Sequence, residues 1–413
     1  MNPSAAHPTA ATRLRLHITA AAETIVRSGH PWLFAGSIHE SNRAGQLGEL
    51  AVIYDRKDKF LAVGLFDPDS PIRVRILHAG RPQTIDSAWW QARLEQSLSI
   101  RRNLFDAQTT GYRLIHGESD GWPGLVLDKY DSTLVLKIYT AAWMPRLDEI
   151  LGLFKEKIPC ERIILRLSRN IQSIAEKRFQ RRDGQVPFGP APNAPVIFSE
   201  SGIRFEADVL RGQKTGFFLD QRENRVEVEK LSRGKKVLNA FSFSGGFSVY
   251  AARGGAKSVT DLDISAHALE SAKRNYALNK SYPGVAACRH ETVQANAFDW
   301  LASGEDKFDL IILDPPSLAK RAAEREGAIH AYERLNSLGI NKLAGDGILV
   351  AGSCSAHVST AEFFDAARCA AAKSGRKLSE IKVSGHPPDH PANFKEAEYL
   401  KVIYLKFAAR QPV

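Results

Sequence analysis

The chain has 413 residues, 44% of them hydrophobic and 25% charged, with a formal net charge of +10. That length predicts two or three domains, and no apolar run reaches the roughly eighteen residues of a membrane span. The basic excess favours a polyanionic partner, most simply nucleic acid. Cys160, Cys288, Cys354 and Cys369 are scattered without a C-x-x-C pair, which argues against a zinc site or a disulfide framework and fits a reducing cytoplasm.

Residues 1–12 read as a disordered tail, lacking the charged start and apolar stretch of a signal peptide. Residues 13–84 carry strand patterns at 14–18, 22–26, 50–54, 60–66 and 72–77, the spacing of a small β-barrel. Its basic residues (Arg27, Arg43, Arg56, Lys57, Lys59, Arg73 and Arg75) either meet phosphate or form a solvated rim. Residues 85–190 read as a central α+β domain. It has a helix within 84–105, a turn-dense G-E-S-D-G-W-P-G at 117–124, and strands at 125–127 and 134–139. A helix at 146–157, a strand at 162–167 and a basic loop at 176–183 follow. The proline-rich stretch 187–195 is a linker.

Residues 191–413 alternate strand and helix as an α/β domain. A hairpin over 196–206 and 208–211 leads into 212–225, dense in Gly, aromatics, Asp, Gln and Arg. This segment is placed to pack beside a cofactor pocket; the alternative is a helix start capped by Asp220, with Arg222 and Arg225 in solvent. Next comes KVLNAFSFSGGFSVYAARGGAKSVTDLD at 236–263, read as strand, glycine turn, helix, strand, carboxylate. A carboxylate about twenty residues past such a turn binds ribose hydroxyls. G-x-G-x-x-G is missing, so a cofactor without pyrophosphate, such as S-adenosylmethionine, fits better than a dinucleotide. An ordinary βαβ unit with no ligand is the plain alternative.

A helix at 266–279 and a strand at 286–295 ending in Asn296 follow. The near-continuous apolar run 308–313 reads as a buried parallel strand. It stops at Asp314-Pro315-Pro316, which holds Asp314 at the carboxyl edge of the sheet, and 318–333 reads as a substrate lid. A strand at 347–352 ends in Ser353-Cys354-Ser355, and strands at 376–383 and 399–407 close the chain. A thiolate at such a tip adds to carbon 6 of a pyrimidine and activates carbon 5, while a carboxyl group shares a proton with the ring. Burial as plain packing is the alternative for Cys354. His386, Asp389 and His390 lack a full metal ligand set. No G-x-S-x-G elbow supports a hydrolase.

Together the 212–225 segment, the NAFSFSGGFS turn, LDPPS and the SCS tip resemble the RlmI-type class I methyltransferases, which modify cytosine at carbon 5 in large-subunit ribosomal RNA. H-P-W-L-F-A-G at 30–36 resembles the start of that family's PUA domain, and 117–124 its central domain. The resemblance implies a Rossmann-like methyltransferase domain at 191–413, preceded by a PUA-like RNA-binding β-barrel and a central α+β domain. It implies S-adenosylmethionine bound by Asn239, Phe241, Ser242, Gly245, Gly246 and Asp263. Asn296 would lie near adenine, where relatives often carry Asp, and Asp220, Gln221, Arg222 and Asp314 would complete the pocket. Asp314 would also line the target-base pocket and Cys354 would be the nucleophile. Arg27, Lys214, Arg222 and Lys320 would contact ribosomal RNA, in a cytoplasmic enzyme without metal. A homodimer is compatible with the sequence, which does not fix the oligomeric state. Cytosine methyltransferases of another branch carry a cysteine in the D-P-P motif; none is present here, so adduct release needs some other base. Methylation of a guanine ring nitrogen, which needs no cysteine, and a non-catalytic RNA-binding assembly factor are the competing readings.

Overall fold

The computed structural model describes residues 13–409; the tail assigned to 1–12 lies outside them. Two compact units emerge. The first runs to Arg102 and includes Leu114–Asp128 and Ser132–Ala191; the second takes Asn103–Arg113, Lys129–Asp131 and the described chain from Pro192 on.

The first unit opens with β1 (Leu14–Ile18), α1 (Ala20–Arg27), β2 (Trp32–Phe34), β3 (Ile38–Ser41), β4 (Leu50–Tyr54), β5 (Phe60–Phe66) and β6 (Ile72–Ala79). The strands form one sheet in the order β2-β6-β5-β4-β1-β3. Alternation sends Leu14, Leu16 and Ile18 into a core with Ala51, Ile53 and Val74. The strand expected at 22–26 is the helix α1. Thr19 caps it by accepting the Ala22 N–H, and Ala22 and Val26, four apart, share its buried face.

The central segment holds α2 (Ser87–Arg101), β7 (Gly111–His116), β8 (Leu125–Tyr130), β9 (Thr133–Ile138), α3 (Leu147–Lys157), β10 (Arg162–Leu167), α4 (Arg169–Phe179) and β11 (Gln185–Phe188). Its sheet runs β11-β10-β9-β8-β7. Trp90 packs on Trp122 and Trp143, with ring centres 5.2 and 5.4 Å away. In the 117–124 turn Asp120 forms a buried two-pronged pair with Arg101, and Glu118 accepts from Trp32 and Arg75. The basic loop expected at 176–183 is half helix, because Ile171 and Ala175 bury one face of α4.

In the second unit the hairpin is β12 (Val196–Glu200) and β13 (Ile203–Ala207), tighter than expected. Ser201 and Gly202, both at positive φ, turn it in two residues. There follow α5 (Arg222–Leu231), β14 (Lys236–Ala240), α6 (Gly246–Arg253), β15 (Ser258–Asp263), α7 (Ala266–Leu278), α8 (Pro283–Ala287), β16 (Arg289–Gln294), α9 (Ala297–Ala302), β17 (Phe308–Leu313), α10 (Arg325–Asn341), β18 (Leu343–Ser353), α11 (Thr360–Lys373), β19 (Leu378–Ser384) and β20 (Lys401–Phe407). The sheet order is β16-β15-β14-β17-β18-β20-β19, with β20 antiparallel to both neighbours. The strand expected at 286–295 starts only at Arg289, because Pro283 opens the short helix α8. The expected lid is largely α10, whose Ala328 and Tyr332 belong to the core. The carboxyl ends of the parallel strands β14, β15, β17 and β18 lie along one edge, where open α/β sheets bind ligands.

Candidate active site

After β14 the chain turns through Phe241 (φ +60°), Phe243 (φ +48°) and Gly245 (φ +73°). Two phenylalanines in the left-handed region are strained, and such strain gathers where a backbone is shaped for a ligand. The fold holds the turn from outside. Asp263 at the end of β15 accepts the Phe243 N–H at 2.9 Å, and Ser242 N–H reaches Leu262 O at 3.1 Å. A Cβ at Gly245 would stand 2.8 Å from Ala272 Cβ. Beneath the turn Asp261 is fully buried, accepting from Ser248 and Asn239 and facing His290 Nε2 at 2.7 Å.

Along the sheet edge, Asp314 Oδ1 accepts from Gln221 Nε2 at 2.9 Å. Burial, reinforced by the nearby Asp220 charge, pushes the Asp314 pKa up to about 7. The Cys354 thiol, just past β18, faces the Pro315 carbonyl at 3.8 Å. Burial pushes it up to about 11; Lys214 and Lys401 pull down, while Asp314 and Asp220 push up. Before substrate binds, Cys354 is therefore protonated at neutral pH, and it must lose that proton to act as a nucleophile. Lys214 Nζ pairs with Asp220 Oδ2 at 2.8 Å and lies over the Phe218 ring. Tyr399 Oη donates to the same oxygen at 2.7 Å. Lys401 donates to the carbonyls of Ser355 and Val358, and burial lowers its pKa to about 8.

Phe241, Ser242, Gly245 and Gly246 thus share one turn, which Asp263 braces from the end of β15, and Asp314, Gln221, Asp220, Lys214 and Cys354 share one polar cluster. Several expected residues stand differently. Arg222 is 2% exposed and fastened to Asp389 by two hydrogen bonds, a buried pair rather than a free cation. Arg225 is likewise buried on Glu200, so the alternative of a solvated helix start is also excluded; Asp220 is buried and makes no cap. Asn239 is fully buried and its amide donates to Ser248 and Asp261, so it supports the turn from within. Asn296 is exposed, and its side-chain oxygen caps α9. Arg27 is half exposed and paired with Asp55 and Glu23; Lys320 is exposed. Sequence reasoning passed over Tyr399, Lys401 and the Asp261–His290 pair. A lysine opening the apolar strand β20 was the available signal for Lys401.

Residues 112–401 match the S-adenosylmethionine-dependent methyltransferase family, and residues 16–79 match a PUA-like domain. The chain belongs to the S-adenosylmethionine-dependent methyltransferases. This methyltransferase is 56% identical to a protein of Deinococcus radiodurans named Ribosomal RNA large subunit methyltransferase, over 96% of this chain and 98% of that one. It is 34% identical to the Ribosomal RNA large subunit methyltransferase I of Aeromonas hydrophila, over 91% and 95%. A solved structure described as a SAM-dependent methyltransferase from Streptococcus mutans shares its fold, with a TM-score of 0.78 at 22% identity over 95% of this chain and 99% of that one. The methyltransferase's cofactor is S-adenosylmethionine, and the turn suits it. Ser242 Oγ is buried with no hydrogen-bond partner among the described residues, position 245 leaves no room for a side chain, and each Asp263 oxygen keeps a lone pair beyond its bond to Phe243 or Ser265.

Proposed function

We infer that this methyltransferase forms 5-methylcytosine in large-subunit ribosomal RNA through a covalent adduct with Cys354. The names of its relatives supply the ribosomal RNA substrate class. The observation that carries the chemistry is the juxtaposition of Cys354 with the Asp314-Pro315 loop. Ser242, Asp263 and the backbone of the turn would hold the cofactor, and Asn296 would stand at its adenine end. S-adenosylmethionine bound there supplies an electrophilic methyl group to carbon 5. The protein's own work is to make carbon 5 nucleophilic. Sγ adds to carbon 6 as its proton passes, by way of Asp314, to N3 of the ring. An Asp314 pKa near neutrality suits both halves of that relay. The Lys214 ammonium steadies the developing thiolate. A stacked cytosine cannot reach such a tip, so the target lies in a loop or leaves its stack.

Cys354→Ala is expected to lose at least 100-fold in methyl transfer to large-subunit rRNA while S-adenosylmethionine affinity, by titration calorimetry, stays within a few-fold. Full activity in that variant would sink the covalent mechanism. Nucleoside analysis of the product separates 5-methylcytosine from a methylated guanine, the outcome that would replace the cytosine reading.

A further inference from the structure

After methyl transfer something must remove the proton on carbon 5, and no cysteine stands in the Asp314-Pro315-Pro316 loop to do it. Asp220 lies on the short turn Leu219–Gln221, and its neighbour Gln221 is bound to Asp314. It is 4% exposed. Its two oxygens are treated differently by the fold. Oδ2 takes both donors, Lys214 Nζ at 2.8 Å and Tyr399 Oη at 2.7 Å. Oδ1 is buried with no hydrogen-bond partner among the described residues, an arrangement that a purely structural carboxylate avoids. The Asp220 charge acts on both Cys354 and Asp314, which places it in the same pocket. Burial alone would raise its pKa, but the Lys214 ammonium and the Tyr399 hydrogen bond counter it and keep the carboxylate ionised at working pH.

We propose that Asp220, through Oδ1, is the base that takes the carbon-5 proton and so releases the enzyme–base adduct, an assignment that rests on the cytosine-5 reading above. The carbon-5 proton moves to Oδ1 and the C–H electron pair becomes the C5=C6 double bond. The C6–S bond breaks with its pair on Sγ, and the N3 proton returns to Asp314. Of the two protons then held on carboxylates, one re-forms the Cys354 thiol and the other leaves to water. A weak base is sufficient, because the protonated N3–C4 unit acidifies carbon 5. Lys214 and Tyr399 are positioning residues that occupy Oδ2 and leave Oδ1 to the substrate.

The test uses the full-length enzyme, S-adenosylmethionine and large-subunit rRNA carrying [5-³H]cytidine, as naked RNA and as the purified particle. Wild type should release tritium in step with methyl transfer and leave no lasting adduct. Asp220→Asn should still place one methyl group per enzyme, retain the tritium, and accumulate a denaturant-resistant protein–RNA adduct, with turnover down at least 100-fold. Tyr399→Phe should keep tritium release and methyl transfer in step. Asp220→Asn that turns over normally would overturn the assignment. So would a folded Asp220→Asn, with wild-type cofactor affinity, that forms neither adduct nor methylated RNA. If that variant does not fold, Asp220→Glu decides: tritium release slowed more than methyl transfer supports the assignment, and equal slowing overturns it. Wild type that transfers methyl without ever releasing tritium instead refutes the cytosine-5 reading, a result that does not depend on Asp220.

Discussion

Asp314 shows how one carboxyl group's environment trades stability for chemistry. Its pKa rises from the ordinary 3.8 to about 7, burial being the main cause and Asp220 the next. The folded protein therefore holds a proton that the unfolded chain has already released, so between about pH 4 and pH 7 this group increasingly favours unfolding. Asp314→Asn keeps an oxygen for Gln221 and removes the ionisation. It is expected to melt higher than wild type at pH 8, by the equivalent of about 4 kcal/mol, with the gap closing toward pH 4. Thermal melts of both proteins across that range check this; a gap independent of pH would mean that the carboxyl group is not held protonated. The same substitution removes the proposed relay between Cys354 and N3, and should abolish methyl transfer.

At the scale of the element, the turn between β14 and α6 is strained by design of its surroundings. Phe241 and Phe243 sit at positive φ, and Asp263 pays part of that cost by accepting the Phe243 N–H. Phe243 meets Phe218 edge-on at 5.0 Å, which ties the turn to the segment carrying Asp220. Gly245 has both a positive φ and no room for a Cβ beside Ala272. Gly245→Ala should cost about 1–2 kcal/mol in backbone strain and about 1–3 kcal/mol in overpacking. Titration calorimetry should then show S-adenosylmethionine affinity at least tenfold weaker in a protein whose circular dichroism is unchanged. Unaltered affinity would show that the turn does not touch the cofactor.

The whole molecule carries +10, but much of its basic surface is already answered. In the PUA-like domain Arg15, Arg27, Arg43, Arg56 and Arg75 all face carboxylates, whereas Lys57 and Lys59 are exposed. On the proposed reading, attraction to RNA comes from the summed excess more than from any one arginine. If the proposed substrate class is right, affinity for large-subunit rRNA falls at least tenfold between 50 and 200 mM salt, as neutralising even three phosphates requires. Filter binding across that range tests it, and a salt-independent affinity would exclude a phosphate-led contact. Among the described residues no helix is long and apolar enough to cross a membrane.

Local rules in the sequence determined the strands β4, β5 and β10 to the residue, the βαβ unit of the cofactor turn, and Asp314 and Cys354 at their strand tips. These depend on alternation, apolar runs, glycine and proline, all of which act within a few residues. The helix α1 was missed because a five-residue apolar spacing does not separate strand from helix, and Thr19 capping settled it. What only the tertiary structure decided was the state of the charged groups. Arg222 looked like a free cation until Asp389, 167 residues away, was folded onto it. Asp220 could be read as a pocket residue or as a helix cap until Lys214 and Tyr399 took one of its oxygens and left the other buried without a partner among the described residues. Burial and long-range pairing set protonation and availability, and neither is written in the spacing of nearby residues.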